Sequence, residues 1–488
     1  MSDALFGALL FVVALVPRVA VAIAWSGEPV WDGHYYDFGA RRIAAGLGYS
    51  DDRAVAGDLV WHPWCHYPVG YSGFLAAFYR ALGASHAVAG VANALTGAAL
   101  AVVTWALARH AMSSTRARAA GLLVALHPGM ILYAALVMTE PLAALLTLAA
   151  FWLAVRDARP WRGLVAGALM LGVAALVRPQ ALLCAPFLGV FAGAAGKVRA
   201  SGAARAWPGR WRQAWRPCAL AAVGASAIAL LPVLPWTARN CRVMDGCALV
   251  STNGGWNLAI GAFPRATGRF ETLRSSDGCR DVTGQVEQDR CWLRYGAAEI
   301  AARPWRWLAL VPAKLGFTFD HESFAVEYLH EARPEAWPPE TRERARETTT
   351  LAHRLLLVAA ALGAVAFPVA RSSRAAAAQG ALLAAVVALV GVGLSTDSPS
   401  FWPLAVFAAS VPWLPLPGRP VAQPALLLAL SLLVTTLFTH AVFFGEDRYH
   451  VVVTPVLALL AAAALRPMGR ETSLSRRSLP ERPAGAQP

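Results

Sequence analysis

Apolar runs long enough to cross a bilayer recur along this chain, as in Leu5–Trp25, Gly121–Val137 and Pro424–Phe444. About 20 such residues in a helix match the hydrocarbon thickness of a membrane. Of the 488 residues, 57% are hydrophobic and only 15% charged, whereas soluble chains carry roughly a quarter charged. The fold class that follows is an all-α polytopic membrane protein. It has about 11–13 transmembrane helices, together with outer-face loops and interfacial helices. The spans are expected near residues 5–25, 84–108, 119–137, 141–155, 163–177, 181–195, 218–235, 351–370, 376–395, 400–416, 421–444 and 451–466.

The formal net charge of +14 invites a nucleic-acid reading, which the distribution of the charge excludes. Only Lys197 and Lys314 are lysines, and most arginines fall between apolar runs; the basic connections are 109–118, 156–162, 197–216, 371–374, 418–420 and the tail after 466. Basic connections of this kind mark the cytoplasmic side of a membrane protein. No basic stripe with interleaved aromatics stands apart from the spans. The N-terminus is then cytoplasmic as well. Ala22-Ile23-Ala24 fits a small-x-small cleavage site, but the segment has no basic start, carries Asp3 and places Arg18 inside the apolar run. Met1–Trp25 is therefore expected as a retained first helix rather than a signal peptide.

With that sidedness, four regions face outward: residues 26–70, "VMTEPL" (137–142), residues 236–350 and "FFGEDRYH" (443–450). The chain divides into an N-terminal membrane module (1–235), a large outer loop or small domain (236–350), C-terminal membrane helices (351–466) and a cytoplasmic tail (467–488). The tail is rich in Ser, Arg and Pro and is expected to be disordered. "RPWRWLALVPAKLGFTF" (303–319) is too short and basic for a span and is expected as an interfacial helix. Cys241, Cys247, Cys279 and Cys291 lie in the large outer loop, where an oxidising exterior allows two disulfides, Cys241–Cys247 and Cys279–Cys291 among the pairings. Cys65 lies in the first outer loop, and Cys184 and Cys218 read as small apolar residues in or beside membrane helices.

The outward regions hold the residues able to do chemistry. In the first, Tyr36, Ala40, Ile43 and Leu47 recur at helical spacing, and Asp32 is placed to cap the helix they describe. Asp32 has two readings, a helix cap or a reacting carboxylate at the mouth of the bundle. Asp37, four residues before Arg41, reads as an ordinary ion pair. Glu140 sits between two apolar runs with almost no loop to solvate it, and a carboxylate there is expensive unless it faces a polar cavity. It too could start a helix, with Pro141 in the first turn. Arg18, Arg178 and Arg448 supply positive charge at or inside helix ends. Each either snorkels to the headgroups or makes bidentate contact with a phosphate. "WHPWCHYPVGY" (61–71) is either an aromatic belt or a platform for sugar rings, with His62 and His66 as metal ligands of weak spacing. "STNGGWNLAIG" (251–261) reads as a turn led by Asn253-Gly254. No phosphate-binding glycine loop, Gly-x-Ser-x-Gly elbow or His-Glu-x-x-His motif is present, which argues against soluble nucleotide-dependent chemistry.

Taken in order, "DGHYYDFGARRIAAGLGYS" (32–50), "HYPVGY" (66–71), "VMTEPL" (137–142), "RPQALL" (178–183), "PWTARN" (235–240), "STNGGWNLAIG" (251–261) and "GEDRYHVVVTPVLALLAA" (445–462) resemble the C-type superfamily of integral-membrane glycosyltransferases. The nearest resemblance is to the bacterial relatives of protein O-mannosyltransferases (glycosyltransferase family 39) and of the lipid A aminoarabinose transferase. It spans nearly the whole chain.

That resemblance implies an enzyme of the bacterial inner membrane, with its active site on the outer face. It would transfer a hexosyl or pentosyl group from a polyprenyl-phosphate-linked donor to a glycolipid, polysaccharide or protein hydroxyl, in one inverting displacement. By position Asp32 is the candidate base and Glu140 a second acid that orients the acceptor or holds a metal. Arg448, with Arg178 and Arg18 behind it, is the candidate for the donor phosphate. His66, Tyr67, Tyr36 and Asn257 are candidates for substrate binding. A divalent metal ion is the cofactor the family suggests, with Asp32 and His62 as its possible ligands here. The chain departs from many relatives in two places: Asp32 is followed by Gly33 rather than a second acid, and "HYPVGY" replaces a Pro-Pro-Gly-Tyr form. A different class, a transporter or flippase for a lipid-linked or polar solute, would also use membrane-embedded Arg and Glu. Transporters, however, commonly carry internal repeats and midplane sites, and here the acids cluster on one side. A polysaccharide polymerase or ligase would share the chemistry and differ in substrate.

Overall fold

The computed structural model describes the chain apart from residues 56, 158, 192–210, 367–371, 397, 415–422 and 466–488. The sequence-based expectation for the tail lies outside the described residues. From the N-terminus come α1 (Asp3–Trp25), α2 (Asp32–Ala44), the hairpin β1 (Ser50–Val55) and β2 (Asp58–Pro63), α3 (Val69–Leu82), α4 (His86–Ala108), α5 (Ser114–Leu126), α6 (Pro128–Leu132), α7 (Glu140–Arg156) and α8 (Pro160–Val177). Next are α9 (Pro179–Phe191) and then α10 (Trp211–Leu230), α11 (Leu234–Val243), α12 (Gly254–Ile260), α13 (Gln285–Ala302), α14 (Pro304–Ala309), α15 (Val311–Phe319) and α16 (Phe324–Ala332). The last five are α17 (Pro339–Ala366), α18 (Ser373–Ser395), α19 (Trp402–Ser410), α20 (Pro424–Val442) and α21 (Thr454–Ala463).

Every span expected from the sequence has a helical counterpart. Among the described residues, six helices suffice by length and composition to cross a membrane: α1, α4, α8, α17, α18 and α20. The number is eight if two bent pairs each make one span, the first breaking by 55° after Leu126 and the second by 52° after Leu230. The remaining expected spans, α7, α9, α19 and α21, are apolar but shorter, so the estimate of about 11–13 counted helices below full bilayer length. Pro128 and Pro232 lie at the two bends, where proline removes a backbone donor.

The bundle core is built from small side chains. α1 packs on α4, α7 on α8 and α4, and α17 on α21. Ala89, Ala92, Ala94, Ala98 and Ala101 along α4 are all buried, which lets neighbouring backbones approach closely as membrane helices require. Arg18 is locked into this core. It is completely buried, and its guanidinium donates to the carbonyls of Ala14 at 2.8 Å, Ala125 at 2.7 Å and Val124 at 3.0 Å. The last two carbonyls are freed at the C-terminal end of α5, where no following turn donates to them. The sequence reading of Arg18 as a phosphate ligand is corrected: it ties α1 to the end of α5.

Residues 26–70 are more structured than the sequence indicated. α2 lies against α3, and α3 itself was not anticipated, although Tyr71, Leu75 and Tyr79 repeat every four residues and are buried. The hairpin also went unforeseen. Its strands pair antiparallel from Ser50–Pro63 to Val55–Asp58, yet β2 is mostly exposed, so no alternation of apolar residues announced it. Leu47, assigned to the α2 stripe, is exposed beyond the helix end. Asp37 and Arg41 do form the expected ion pair, at 2.6 Å, with the Tyr79 hydroxyl donating to the other carboxylate oxygen.

Residues 236–350 hold both disulfides, Cys241–Cys247 and Cys279–Cys291. Their small core includes Phe263, Leu273 and Trp292 and continues into Phe444 and Tyr449 of the last connection. "STNGGWNLAIG" is helical rather than a turn: Asp289 Oδ1 accepts from the free amides of Gly255 (2.7 Å) and Trp256 (3.2 Å) and so starts α12. Residues 304–319 are the two short helices α14 and α15.

Candidate active site

The polar ends of α2, α7, α9 and α12 and the 3-10 turn Asp447–Val452 converge on one cavity of about 250 Å³. Asp32, Glu140, Arg178 and Arg448 all line it, together with Tyr36, His66, Tyr67 and Asn257. Sequence positions spread over more than 400 residues are thereby brought to one place. Arg18 and His62 are not among the lining residues.

Asp32 opens α2 but does not cap it. The cap position belongs to Trp31, whose φ of 51° is the only positive value at a non-glycine among the described residues. Such a conformation costs free energy and persists only when packing enforces it. Here the Trp31 ring lies against Phe324 and Tyr328. The twist at Trp31 turns Asp32 into the cavity rather than back over its own helix. Its carboxylate accepts from the Tyr67 hydroxyl at 2.7 Å and from Arg448 at 2.5 Å. Burial pushes the carboxyl up, but the Arg448 charge and the two hydrogen bonds outweigh it, and the group stays below the ordinary carboxylate range. The cap reading of Asp32 is therefore overturned, and what remains is an ionised carboxylate facing a cavity.

Glu140 does begin a helix, with Thr139 at the cap position and Pro141 next, but neither side chain caps it. Its carboxylate is buried and pairs with Arg178 at 2.6 Å, while Oε2 has no hydrogen-bond partner. Arg178 also donates to Thr139 at 3.2 Å and lies over the Tyr449 ring. Arg448 lies near the same ring and donates to its hydroxyl at 3.2 Å, so Tyr449 contacts both arginines, while His440 stacks on its ring.

Glu446 is a residue the sequence reading passed over, although it lies in the quoted "GEDRYH". Its Oε2 is 2.5 Å from Arg448 Nε, so Arg448 is shared between two carboxylates. Burial raises the Glu446 carboxyl to about 7, with the Arg448 charge opposing the rise. Its neighbour Asp447 turns the other way and accepts from Ser323 Oγ at 2.9 Å and Phe324 N at 2.8 Å, pinning the turn to the start of α16.

His66 stands edge-on to Tyr67 and to Trp256, and burial lowers its pKa against the pull of Asp32. The imidazole is therefore neutral near pH 7, and with the aromatic rings it forms a wall suited to a sugar face. A divalent cation does not fit this cavity. Both Asp32 oxygens are engaged by Tyr67 and Arg448, two guanidiniums flank the acids, and His62 pairs instead with Asp51 at 2.7 Å on the hairpin. The expectation of a metal held by Asp32 and His62 is corrected on that ground.

No sequence-family model matches the chain, and no curated protein sequence does. Solved structures do. The archaeal oligosaccharyltransferase AglB from Archaeoglobus fulgidus aligns at 14% identity over 94% of this chain and 50% of its own, with a TM-score of 0.45. This chain therefore spans about half the length of that protein. ArnT from Cupriavidus metallidurans aligns at 16% identity over 95% of this chain and 78% of its own, with a TM-score of 0.36. In three dimensions the chain is similar to these two proteins over most of its own length.

Proposed function

We propose that this chain is a membrane glycosyltransferase that moves a sugar from a polyprenyl-phosphate-linked donor to an acceptor hydroxyl at the outer face of the inner membrane, with inversion at the anomeric carbon. One observation carries the reading: Asp32 and Arg448 pair inside the same cavity as Glu140 and Arg178. An inverting displacement needs a base on one side of the anomeric carbon and positive charge on the other. At rest the pair neutralises itself. A donor phosphate bound to Arg448 and Arg178 would draw Arg448 away from Asp32 and free its Oδ2. Asp32 then takes the acceptor proton as the acceptor oxygen bonds to the anomeric carbon. The bond from that carbon to the phosphate oxygen breaks, and its electron pair leaves on the phosphate between the two arginines. Tyr67 holds the other Asp32 oxygen throughout, and Glu140 keeps Arg178 in place.

The arginine distribution supports an outer-facing cavity, since Asp32, Glu140, Arg178 and Arg448 all lie at the ends of spans away from the basic connections. AglB has been solved with a dolichol-phosphate and an inhibitory peptide, and ArnT with undecaprenyl phosphate. The acceptor class is left to experiment: membranes containing the full chain are supplied with radiolabelled polyprenyl-phosphate sugars, and the labelled product is separated as glycolipid, glycan or protein. Label appearing in a covalent product, and lost with Asp32→Asn, is the expected result. Equal product from Asp32→Asn would overturn the base assignment. Label that crosses the vesicle without covalent transfer would replace the reading with transport.

A further inference from the structure

Behind the cavity, and not lining it, lies a second cluster of titratable groups: Glu322, His353, His450 and His127, all buried. Glu322 precedes α16, His353 is in the middle of α17, His450 lies within the turn that carries Arg448, and His127 sits at the break between α5 and α6. Four elements thus bring their polar groups to one point in the apolar interior, where a cluster of this kind is expensive unless something compensates it.

The hydrogen bonds fix which ring nitrogens carry protons. His450 Nδ1 lies 2.8 Å from the Thr318 carbonyl and His353 Nε2 lies 3.0 Å from the Phe319 carbonyl. A carbonyl can only accept, so both of those nitrogens are N–H donors. The remaining nitrogens, His450 Nε2 and His353 Nδ1, then present lone pairs and lie 3.2 Å and 3.8 Å from Glu322 Oε2, with the two rings stacked. Three acceptors therefore face one another with no donor between them. His353 Nδ1 and Glu322 Oε1 have no hydrogen-bond partner at all. His127 has the opposite tautomer: its Nδ1 accepts from the Met130 amide, so its Nε2 carries the proton and faces Glu322 Oε2 at 3.8 Å.

We propose that Glu322, His353 and His450 hold a divalent metal ion of the zinc class, with His127 donating to the carboxylate from behind. The ligand atoms of the three lie within 4.8 Å of one another. Zinc bonds to nitrogen and oxygen of about 2.0–2.1 Å put tetrahedral ligands about 3.4 Å apart, between the two distances to Glu322 given above. Two imidazoles and one carboxylate suit a borderline cation better than calcium or magnesium, which prefer all-oxygen sets. The carbonyls of Thr318 and Phe319 orient the rings as the outer partners of metal-bound histidines usually do. Room for the carboxylate is provided by Gly129, where a Cβ would come within 1.4 Å of Glu322 Oε1. Through His450, two residues after Arg448, the ion would fix the turn that positions Arg448 at the cavity. That role is positioning, and the binding itself does not depend on the transferase reading.

The test is metal content of the full-length protein purified in detergent without added chelator, by elemental analysis, followed by stripping and titration with cobalt(II). Wild type should carry about one zinc-class ion per chain. The stripped protein should take up cobalt(II) with the intense visible absorption of a tetrahedral site. Glu322→Gln and His353→Gln should lose both signals, whereas His127→Gln should keep the ion at lower affinity. A wild-type chain that holds no ion and gives no cobalt spectrum would overturn the site. The wild-type readings decide the question even where a variant fails to fold.

Discussion

Arg448 Nη1 sits 2.5 Å from Asp32 Oδ2 and so joins residues 416 positions apart in the chain. Each is the counter-charge of the other, and neither is free for chemistry until something replaces its partner. A phosphate is the natural replacement for the carboxylate at Arg448, because a guanidinium presents a fork that fits either anion. Donor binding and release of the base thereby become one event.

The kinetics of substitution should separate the two partners. Asp32→Asn is expected to lower kcat by about 10²–10⁴-fold, the usual contribution of a positioned base, with little change in donor KM. Arg448→Ala should raise donor KM and lower kcat together, and Arg448→Lys should recover part of the charge but not the fork. Steady-state transfer assays in membranes, with donor concentration varied, measure both. Unchanged donor KM in Arg448→Ala would remove the phosphate role.

Glu446 gives the pair a pH dependence. Its folded-state pKa is raised from 4.5 to about 7, chiefly by burial. The folded state therefore holds a proton that the unfolded chain releases between those values. The associated stability is complete below about 4.5 and lost as pH rises through about 7. Above that pH an ionised Glu446 competes with the donor phosphate for Arg448. Donor KM should accordingly rise as pH passes through about 7. In Glu446→Gln the rise should flatten while kcat at pH 6 is retained. A pH series of donor KM for the two proteins checks the sign.

Removing one member of the Glu140–Arg178 pair leaves the other charge buried and uncompensated. Loss of one partner of a buried pair typically costs about 3–5 kcal/mol. Glu140→Gln and Arg178→Met should each lower the melting temperature in detergent, and the double variant should be less destabilised than the sum of the two. Activity should not recover in the double variant, since Arg178 is also assigned to the phosphate. Thermal unfolding of the four proteins gives the coupling directly.

What was legible in the sequence followed the apolar period and the placement of charge. Hydrophobic length gave the spans, and arginine-rich connections gave a sidedness under which Asp32, Glu140, Arg178 and Arg448 all fell on one side; they meet in one cavity. What was hidden depends on contacts between distant elements. Asp32 had the right residue type and position for a cap, and only the packing of Trp31 on Phe324 and Tyr328 turns it away. The exposed hairpin carries no apolar alternation to read. Nothing local to Glu322, His353 or His450 indicates that their side chains converge.

Gly33, which stands where the resemblance implies a second acid, has a packing reason. A Cβ there would lie 2.2 Å from the Tyr328 hydroxyl and 2.9 Å from the Val137 carbonyl. Tyr328 is buried and its hydroxyl reaches the Val30 amide at 3.3 Å, so it has little room to yield. Gly33→Glu should therefore lower expression and melting temperature, and should not create metal-dependent activity. Metal titration of the residual transfer rate distinguishes that outcome from a gain of metal dependence.

Arg18 provides the sharpest separation between a residue that holds the bundle and one that acts in the cavity. Three carbonyls accept from it, and Gly97 leaves the space it occupies, since a Cβ there would lie 2.5 Å from its Nε. Replacing it by methionine preserves length and apolar contact but leaves the Val124 and Ala125 carbonyls without a donor. Hydrogen bonds to a charged group contribute about 1.5–3 kcal/mol each, and partial relaxation of the α5 end makes a total near the lower bound of their sum reasonable. Arg18→Met should thus show a clear drop in melting temperature in detergent. Because the side chain does not reach the cavity, the folded fraction should keep the wild-type donor KM. A raised donor KM with unchanged stability would return Arg18 to the phosphate site.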